Sequence, residues 1–234
     1  MIKFYHSPHS RSTGTLWLLE ELEIPYELEL ININAPGGAP EAYRTIQPNK
    51  KVPAIVHDGI IITERAAITT YLCDAFPDND IAPQVGDLRR GPYLSMLVYC
   101  DAVLDPVIAV KTHQWTYKSN EFSFGLFDDM VEYLDQKLLH HPYATGSDFT
   151  AADVQLGIML YWAIKIFPVM PEKESFMRYL DRLSERPAFI RALEKDQELA
   201  KNPRSTTAHF PYNKPGSRQN QDSPHDHMYG DGFS

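Results

Sequence analysis

The chain has 234 residues, 43% hydrophobic and 23% charged, with a formal net charge of −9 and an isoelectric point near 5.4. That length suits one large domain or two small ones, and the acidic balance argues against nonspecific nucleic-acid binding, which needs a basic surface. No apolar run reaches about 18 residues, which excludes an ordinary membrane span, and the opening MIKFYHSPHS lacks the basic and apolar stretches of a signal peptide.

In chain order, 2–5 reads as a short strand. Residues 13–22 read as a helix, with Leu16, Leu19 and Leu22 on one face, Trp17 and Leu18 widening it, and Glu20, Glu21 and Glu23 turned to solvent. Apolar and acidic residues alternate over 26–30, the pattern of a half-buried strand. A Pro-, Gly- and Asn-rich stretch follows, then a short helix near 41–45. The segments 54–56 and 60–62, joined by Asp58-Gly59, form a hairpin, and Thr63-Glu64 opens a second helix that ends before Pro77. The order βαβαββα is that of a thioredoxin-like α/β domain over 1–76 with a mixed four-stranded sheet.

After a Pro- and Asp-rich linker at 77–87, an all-helical domain is expected over 88–201. Its helices cover 88–115 (kinked at Pro106), 121–140, 151–167, 173–186 and 188–201. Thr150-Ala-Ala-Asp153 is an N-terminal capping signal. Residues 202–234 form a polar tail with no apolar periodicity, and no internal repeat is visible. Its His225-Asp-His227 is no metal site, because it lacks a rigid supporting shell. Cys73 and Cys100 have no CxxC or metal-ligand spacing, so free thiols in a reducing cytoplasm are expected.

Four features of the first domain can carry chemistry. Val52-Pro53 precedes the third strand; a cis bond there would turn the Val52 backbone outward to pair with a peptide-like ligand, although an edge-strand proline reads the same way. At Thr63-Glu64-Arg65 a helix N-terminus suits a carboxylate and Glu64 an ammonium, while plain capping by Thr63 remains open. The turn His6-Ser7-Pro8-His9-Ser10-Arg11-Ser12 offers hydroxyls to an anion, or simply caps the first helix. Tyr5 is a rival donor, or core.

Together these pieces resemble the glutathione transferase family over residues 1 to about 200. The resemblance is carried by Ser7-Pro-His-Ser-Arg-Ser12 ahead of Leu16-Trp-Leu-Leu-Glu-Glu21, by Lys51-Val52-Pro53-Ala54, by Ile62-Thr-Glu-Arg-Ala-Ala-Ile68 with Tyr71-Leu72, and by Phe149-Thr-Ala-Ala-Asp-Val154. It points to a bacterial or fungal serine-type member, akin to the theta and phi classes. It implies that Val52, with Pro53 cis, pairs with the cysteinyl part of glutathione. Lys51 would approach the peptide, Glu64 would hold the γ-glutamyl amino group, and the backbone N–H of Arg65 its carboxylate. Ser7, four residues before Arg11, is the implied catalytic hydroxyl, with Ser10 second. The family usually has Ser where Arg65 stands, so that hydroxyl contact is lost, though a guanidinium can pair with the carboxylate. The reactive cysteine of beta-class members has no counterpart here.

The implied chemistry is stabilisation of the glutathione thiolate for attack on a small hydrophobic electrophile, with no metal. Tyr99, Val103 and His113 are candidates to line the electrophile pocket between the domains. The resemblance also implies a homodimer. Isomerase, peroxidase or dehalogenase chemistry on the same thiolate, and noncatalytic ligand binding, remain open as alternatives.

Overall fold

The computed structural model describes residues 1–201 and the strand Thr207–Phe210; the remaining residues, His225 and His227 among them, lie outside the described set. Strand β1 (Ile2–His6) leads through the Ser-rich turn into α1 (Thr13–Leu22), then β2 (Tyr26–Leu30). A short 3-10 turn at Glu41–Thr45 precedes the hairpin β3 (Ala54–His57) and β4 (Ile60–Thr63), and α2 (Arg65–Ala75) follows. Asp58 and Gly59 both have positive φ, 48° and 84°, the backbone that a two-residue hairpin turn requires.

The sheet order is β4-β3-β1-β2, with β1 parallel to β2 and the other neighbours antiparallel. This is the mixed thioredoxin-like sheet expected from the sequence. A fifth strand, β5 (Thr207–Phe210), pairs antiparallel with β2, so part of the polar tail adds to the sheet edge.

Among the described residues six helices follow: α3 (Arg90–Tyr99), α4 (Asp105–Thr112), α5 (Phe127–His140), α6 (Ala151–Tyr161), α7 (Glu174–Ser184) and α8 (Pro187–Lys201). Between α3 and α4 the chain makes a π turn at Cys100–Leu104, immediately before Pro106. Proline has no N–H to give the preceding turn, and the wider turn absorbs the defect that was expected as a kink. A second π turn, Trp162–Ile166, extends α6. Taken as one piece, Arg90–Thr112 is 23 residues and holds an 18-residue window of mean hydropathy 1.6, so by length and composition alone it could cross a bilayer, although Asp101 and Asp105 interrupt its apolar run. Here it behaves as a core helix: Tyr93, Leu97, Cys100, Leu104 and Val107 are buried in the main core.

Helix α1 lies between the sheet and the helical region, with nine of its ten residues buried. It packs on α8 and α6. The approach to α6 is close: a Cβ on Gly14 would stand 2.9 Å from Ile158, and one on Gly157 would stand 2.4 Å from Leu183 and 3.4 Å from Trp17. Trp17 stacks edge-on against Phe189 of α8 at 4.7 Å between ring centroids. Glu20, expected in solvent, is buried in this contact, and Glu21, expected there too, is largely covered, its side chain 7% exposed. Arg186 grips Glu21 in a two-bond fork, while Arg191 and Lys195 pair with Glu20. The periodicity of α1 could not show this, because the partners arrive from α8 and the turn just before it, more than 160 residues later.

The capping motif forms as expected. Asp153, fully buried, accepts from the backbone N–H of Thr150 (2.8 Å) and Ala144 (2.6 Å), the Thr150 hydroxyl (3.2 Å) and the Tyr179 hydroxyl (2.9 Å). Burial pushes its carboxyl up to about 6 against the pull of these donors. Asp153→Ala would strand those donors and should destabilise the fold by about 3 kcal/mol. Urea unfolding checks this; a loss under about 1 kcal/mol would mean the network is dispensable.

Candidate functional site

Two cavities meet at the N-terminal end of α1. The larger, about 870 Å³, is polar and basic: Ser10, Arg11, Asn34, Arg44, Lys50, Lys51 and Val52 line it, with Asp101, Asp105 and Ala109 opposite. The smaller, about 430 Å³, is mainly apolar. His9, Ile108, His113, Ile158, Met159, Trp162 and Phe167 line it, and Trp162 stacks on Phe167 at 5.6 Å. Ser10, Arg11, Asp105 and Ala109 belong to both walls, so these residues are where the two spaces join.

The turn leading into α1 is held by its own polar groups. The Ser10 hydroxyl donates to the Ser7 carbonyl (2.7 Å) and lies 2.7 Å from the Ser12 hydroxyl, while the Ser12 N–H donates back to Ser10 Oγ (3.2 Å). Ser7 itself is buried, 5% exposed, and lines neither cavity. Its carbonyl orients Ser10, so Ser10 is the hydroxyl that the fold presents. Tyr5, the rival donor, is buried against Tyr43 in a small separate core.

Val52-Pro53 is cis, and Val52 and Lys51 both stand in the wall of the larger cavity. Glu64 is exposed and lies outside that wall, at the start of α2. Its φ of 68° is a costly backbone for a non-glycine residue, of the kind that clusters at ligand-binding positions. Neither Thr63 nor Glu64 supplies a capping side chain. Instead Asp101 crosses from the π turn and accepts from the Ala66 N–H at 3.1 Å.

Arg65 neither points to solvent nor waits for a ligand. Its guanidinium, 10% exposed, pairs with Asp101 and, at 3.0 Å, with Asp105. Arg11 forks onto Asp105 from the other side through two bonds of 2.6 Å. Arg11 and Arg65 of the sheet region thus clamp two carboxylates of the helical region.

Of the three pocket candidates, His113 is in the apolar wall. Tyr99 and Val103 are not: Tyr99 packs on Tyr133 of α5 at 4.9 Å. They precede Asp101 and Asp105 by two residues, roughly 200° around a helix, and so face away. The sequence carried one overlooked signal, the acids Asp101 and Asp105 four apart on an apolar helix. Trp162, Met159 and Phe167 had none, because a distant helix brings them in. Both cysteines are free and buried, and burial pushes the Cys73 thiol up to about 12 and that of Cys100 higher still, which suits core packing rather than nucleophilic duty.

Residues 7–75 match the model of the glutathione S-transferase N-terminal domain. Glutathione S-transferase 3 of Schizosaccharomyces pombe is 27% identical, the match covering 85% of this chain and 89% of that protein. Glutathione S-transferase GstA of Escherichia coli O157:H7 is also 27% identical, over 83% of this chain and 98% of its own length. A sphingomonad glutathione S-transferase, solved in complex with glutathione, has the same fold with a TM-score of 0.68 at 24% identity, covering 83% of this chain and 98% of that one.

Replacing Arg65 by Ser would leave Asp101 and Asp105 facing each other with one cation fewer. We expect Arg65→Ser to cost about 2 kcal/mol, discounted from the figure for fully buried pairs because both acids are partly exposed. Asp101→Asn in the same chain should recover part of it. Thermal unfolding of the two variants reads this out, and an undiminished melting temperature for Arg65→Ser would show the clamp to be idle.

Proposed function

We propose that the chain is a glutathione transferase and that it ionises the thiol of glutathione at Ser10 for attack on a hydrophobic electrophile. One observation carries the reading: Ser10 stands in the wall of both cavities. A tripeptide along the basic cavity would present its thiol there, directly before the apolar pocket. Lys51 and the Val52 backbone are the proposed hold on the peptide. Glu64 and the Arg65 N–H are the proposed hold on its γ-glutamyl end.

The energetics are of the right size. A free thiol with a pKa of about 8.5 is only a few per cent thiolate at pH 7. Lowering it by about two units needs roughly 2.7 kcal/mol of preference for the anion. A hydroxyl donating to a charged sulfur contributes about 1.5–3 kcal/mol, and the N-terminal end of α1 a few tenths more. Ser10 donates to the Ser7 carbonyl at rest, so it must let go of that carbonyl before its hydroxyl can donate to the ionised sulfur. It orients and stabilises the thiolate and forms no covalent bond.

Ser10→Ala should lower turnover with a thiol-reactive aryl halide by about tenfold or more, the weight of one charged hydrogen bond, with glutathione affinity within a few-fold of the parent. Ser7→Ala, which keeps the backbone carbonyl, should act less. The reading fails if Ser10→Ala is fully active, or if the parent chain is not retained on immobilised glutathione. Turnover confined to isomerisable or peroxide substrates would keep the thiolate and move the chemistry.

We also propose a homodimer. Ile60 and Ile61 on β4 and Val98 on α3 are exposed, at 63%, 43% and 55%, and suit a partner's apolar surface. Light scattering at micromolar concentration should give twice the chain mass; a monomer mass removes the claim.

A further inference from the structure

Behind Ser10 lies a line of buried polar groups that the preceding reading does not use. The Ser12 hydroxyl, 2.7 Å from Ser10 Oγ, lies 2.7 Å from Nδ1 of His6. On the far side of the ring, Nε2 stands 3.1 Å from Asp196 Oδ1, although off the direction of the ring N–H, so the contact is an ion-pair approach rather than a directed hydrogen bond. Asp196, on α8, is further held by the Thr13 hydroxyl (2.9 Å) and the His9 N–H (3.0 Å). His6 and Ser12 are wholly buried and Asp196 is 3% exposed.

A buried imidazole between a carboxylate and a hydroxyl is the arrangement in which a hydroxyl gives up its proton. Here that hydroxyl is joined by one more to the cavity wall. Resting on the assignment of Ser10 to the glutathione thiol, we infer that the thiol proton leaves through Ser10 and Ser12 to His6. The S–H proton passes to Ser10 Oγ as the Ser10 proton passes to Ser12 Oγ and the Ser12 proton to His6 Nδ1. One proton leaves sulfur and one arrives on the ring; both serines end neutral, and Asp196 faces the imidazolium so formed. No oxidant or further reactant is needed. After attack the ring gives its proton back along the same path, to the carbanion where the thiolate has added to the electrophile, or to water in the cavity beside the departing halide where the electrophile is an aryl halide, so that His6 ends neutral. Ser12 and His6 are positioning and proton-holding residues, acting on the thiol only through Ser10.

The Ser7 carbonyl competes for both hydroxyl protons, at 2.7 Å from Ser10 Oγ and 3.1 Å from Ser12 Oγ. The Ser12 to His6 contact is the shorter of the two open to Ser12, which favours the path to the ring. The groups packed round that ring are Asp196 from α8, Ser12 and Thr13 from the start of α1, and the Phe4 ring of β1 at 5.3 Å. His9 approaches the other Asp196 oxygen at 3.7 Å. Farther along the same α1–α8 contact, Glu20 is paired with Arg191 and Lys195.

The test is the ionisation of enzyme-bound glutathione, followed by the far-ultraviolet absorbance of its thiolate against pH, in the full chain and in Ser10→Ala, Ser12→Ala and His6→Gln. Calorimetry supplies glutathione affinity and circular dichroism the fold. The inference expects Ser12→Ala and His6→Gln each to raise the midpoint by about one unit or more, a tenfold loss of thiolate at neutral pH, with affinity within about threefold. A bond that merely ties β1 to α8 would lower the melting temperature and leave the midpoint in place, and that result overturns the relay. A shift in Ser12→Ala with His6→Gln at the parent midpoint also overturns it, since a hydroxyl dipole then suffices without a proton acceptor. Should His6→Gln fail to fold, His6→Asn takes its place in the same comparison. If the relay variants leave the midpoint unmoved while Ser10→Ala raises it, only the relay is lost; if Ser10→Ala also leaves it unmoved, the role of Ser10 falls and the relay with it.

Discussion

The burial of α1 on all its sides is the constraint from which the rest follows. A helix with nine of ten residues buried has to satisfy a sheet on one flank and two helices on the other at once. The glycines on α1 and α6 let the backbones come close, and Trp17 fills the remaining space against Phe189. Because its body cannot slide or rotate, the N-terminal turn that carries Ser10 and Ser12 is held in one place relative to both cavities. The rigidity of that turn is therefore inherited from apolar packing a full helix length away.

Charge does a second, more local job at the same boundary. Glu20 and Glu21 meet cations from α8 and the turn just before it, and Arg11 and Arg65 meet acids from the segment between α3 and α4. Ion pairs of this kind gain little over well-packed apolar contacts, but losing one partner is expensive, so they define a single relative placement of the two regions. Arg65, where the resembled family would put a serine, makes sense in that light: its guanidinium fastens the helical wall opposite it.

Local pattern told most about elements whose partners are near in sequence. Helix α1 and strand β2 have the bounds that leucine spacing and apolar–acidic alternation suggest, and the Asp58-Gly59 turn sets the hairpin that follows. The capping acid Asp153 was legible for the same reason, because its first donor is three residues away. What stayed hidden depends on distant chain. Glu20 and Glu21 look like solvent residues until α8 arrives, and β5 has no alternation of its own and is defined by pairing with β2. Spacing to Arg11 ranked Ser7 ahead of Ser10, but the turn buries Ser7 and sets Ser10 in the cavity walls, a difference that spacing does not carry. Tyr99 and Val103 were misplaced because their helix presents its polar edge, not its aromatic one, to the cavity.

The two π turns have a consequence for how such a pocket changes over generations. Each turn holds one residue more than a continuous α-helix needs, and each sits just ahead of, or within, segments that wall the apolar cavity. Losing that one residue would close either turn into regular α-helix and leave the chain after it nearly in register, because a π turn sweeps about the same angle with one residue more. Ile108 and His113 after the first turn, and Phe167 and Val169 after the second, would keep their places in the wall. A lineage carrying these turns can therefore gain or lose a residue beside its pocket while the wall beyond keeps its facing. The same change in an unbroken helix would turn everything after it by about 100°.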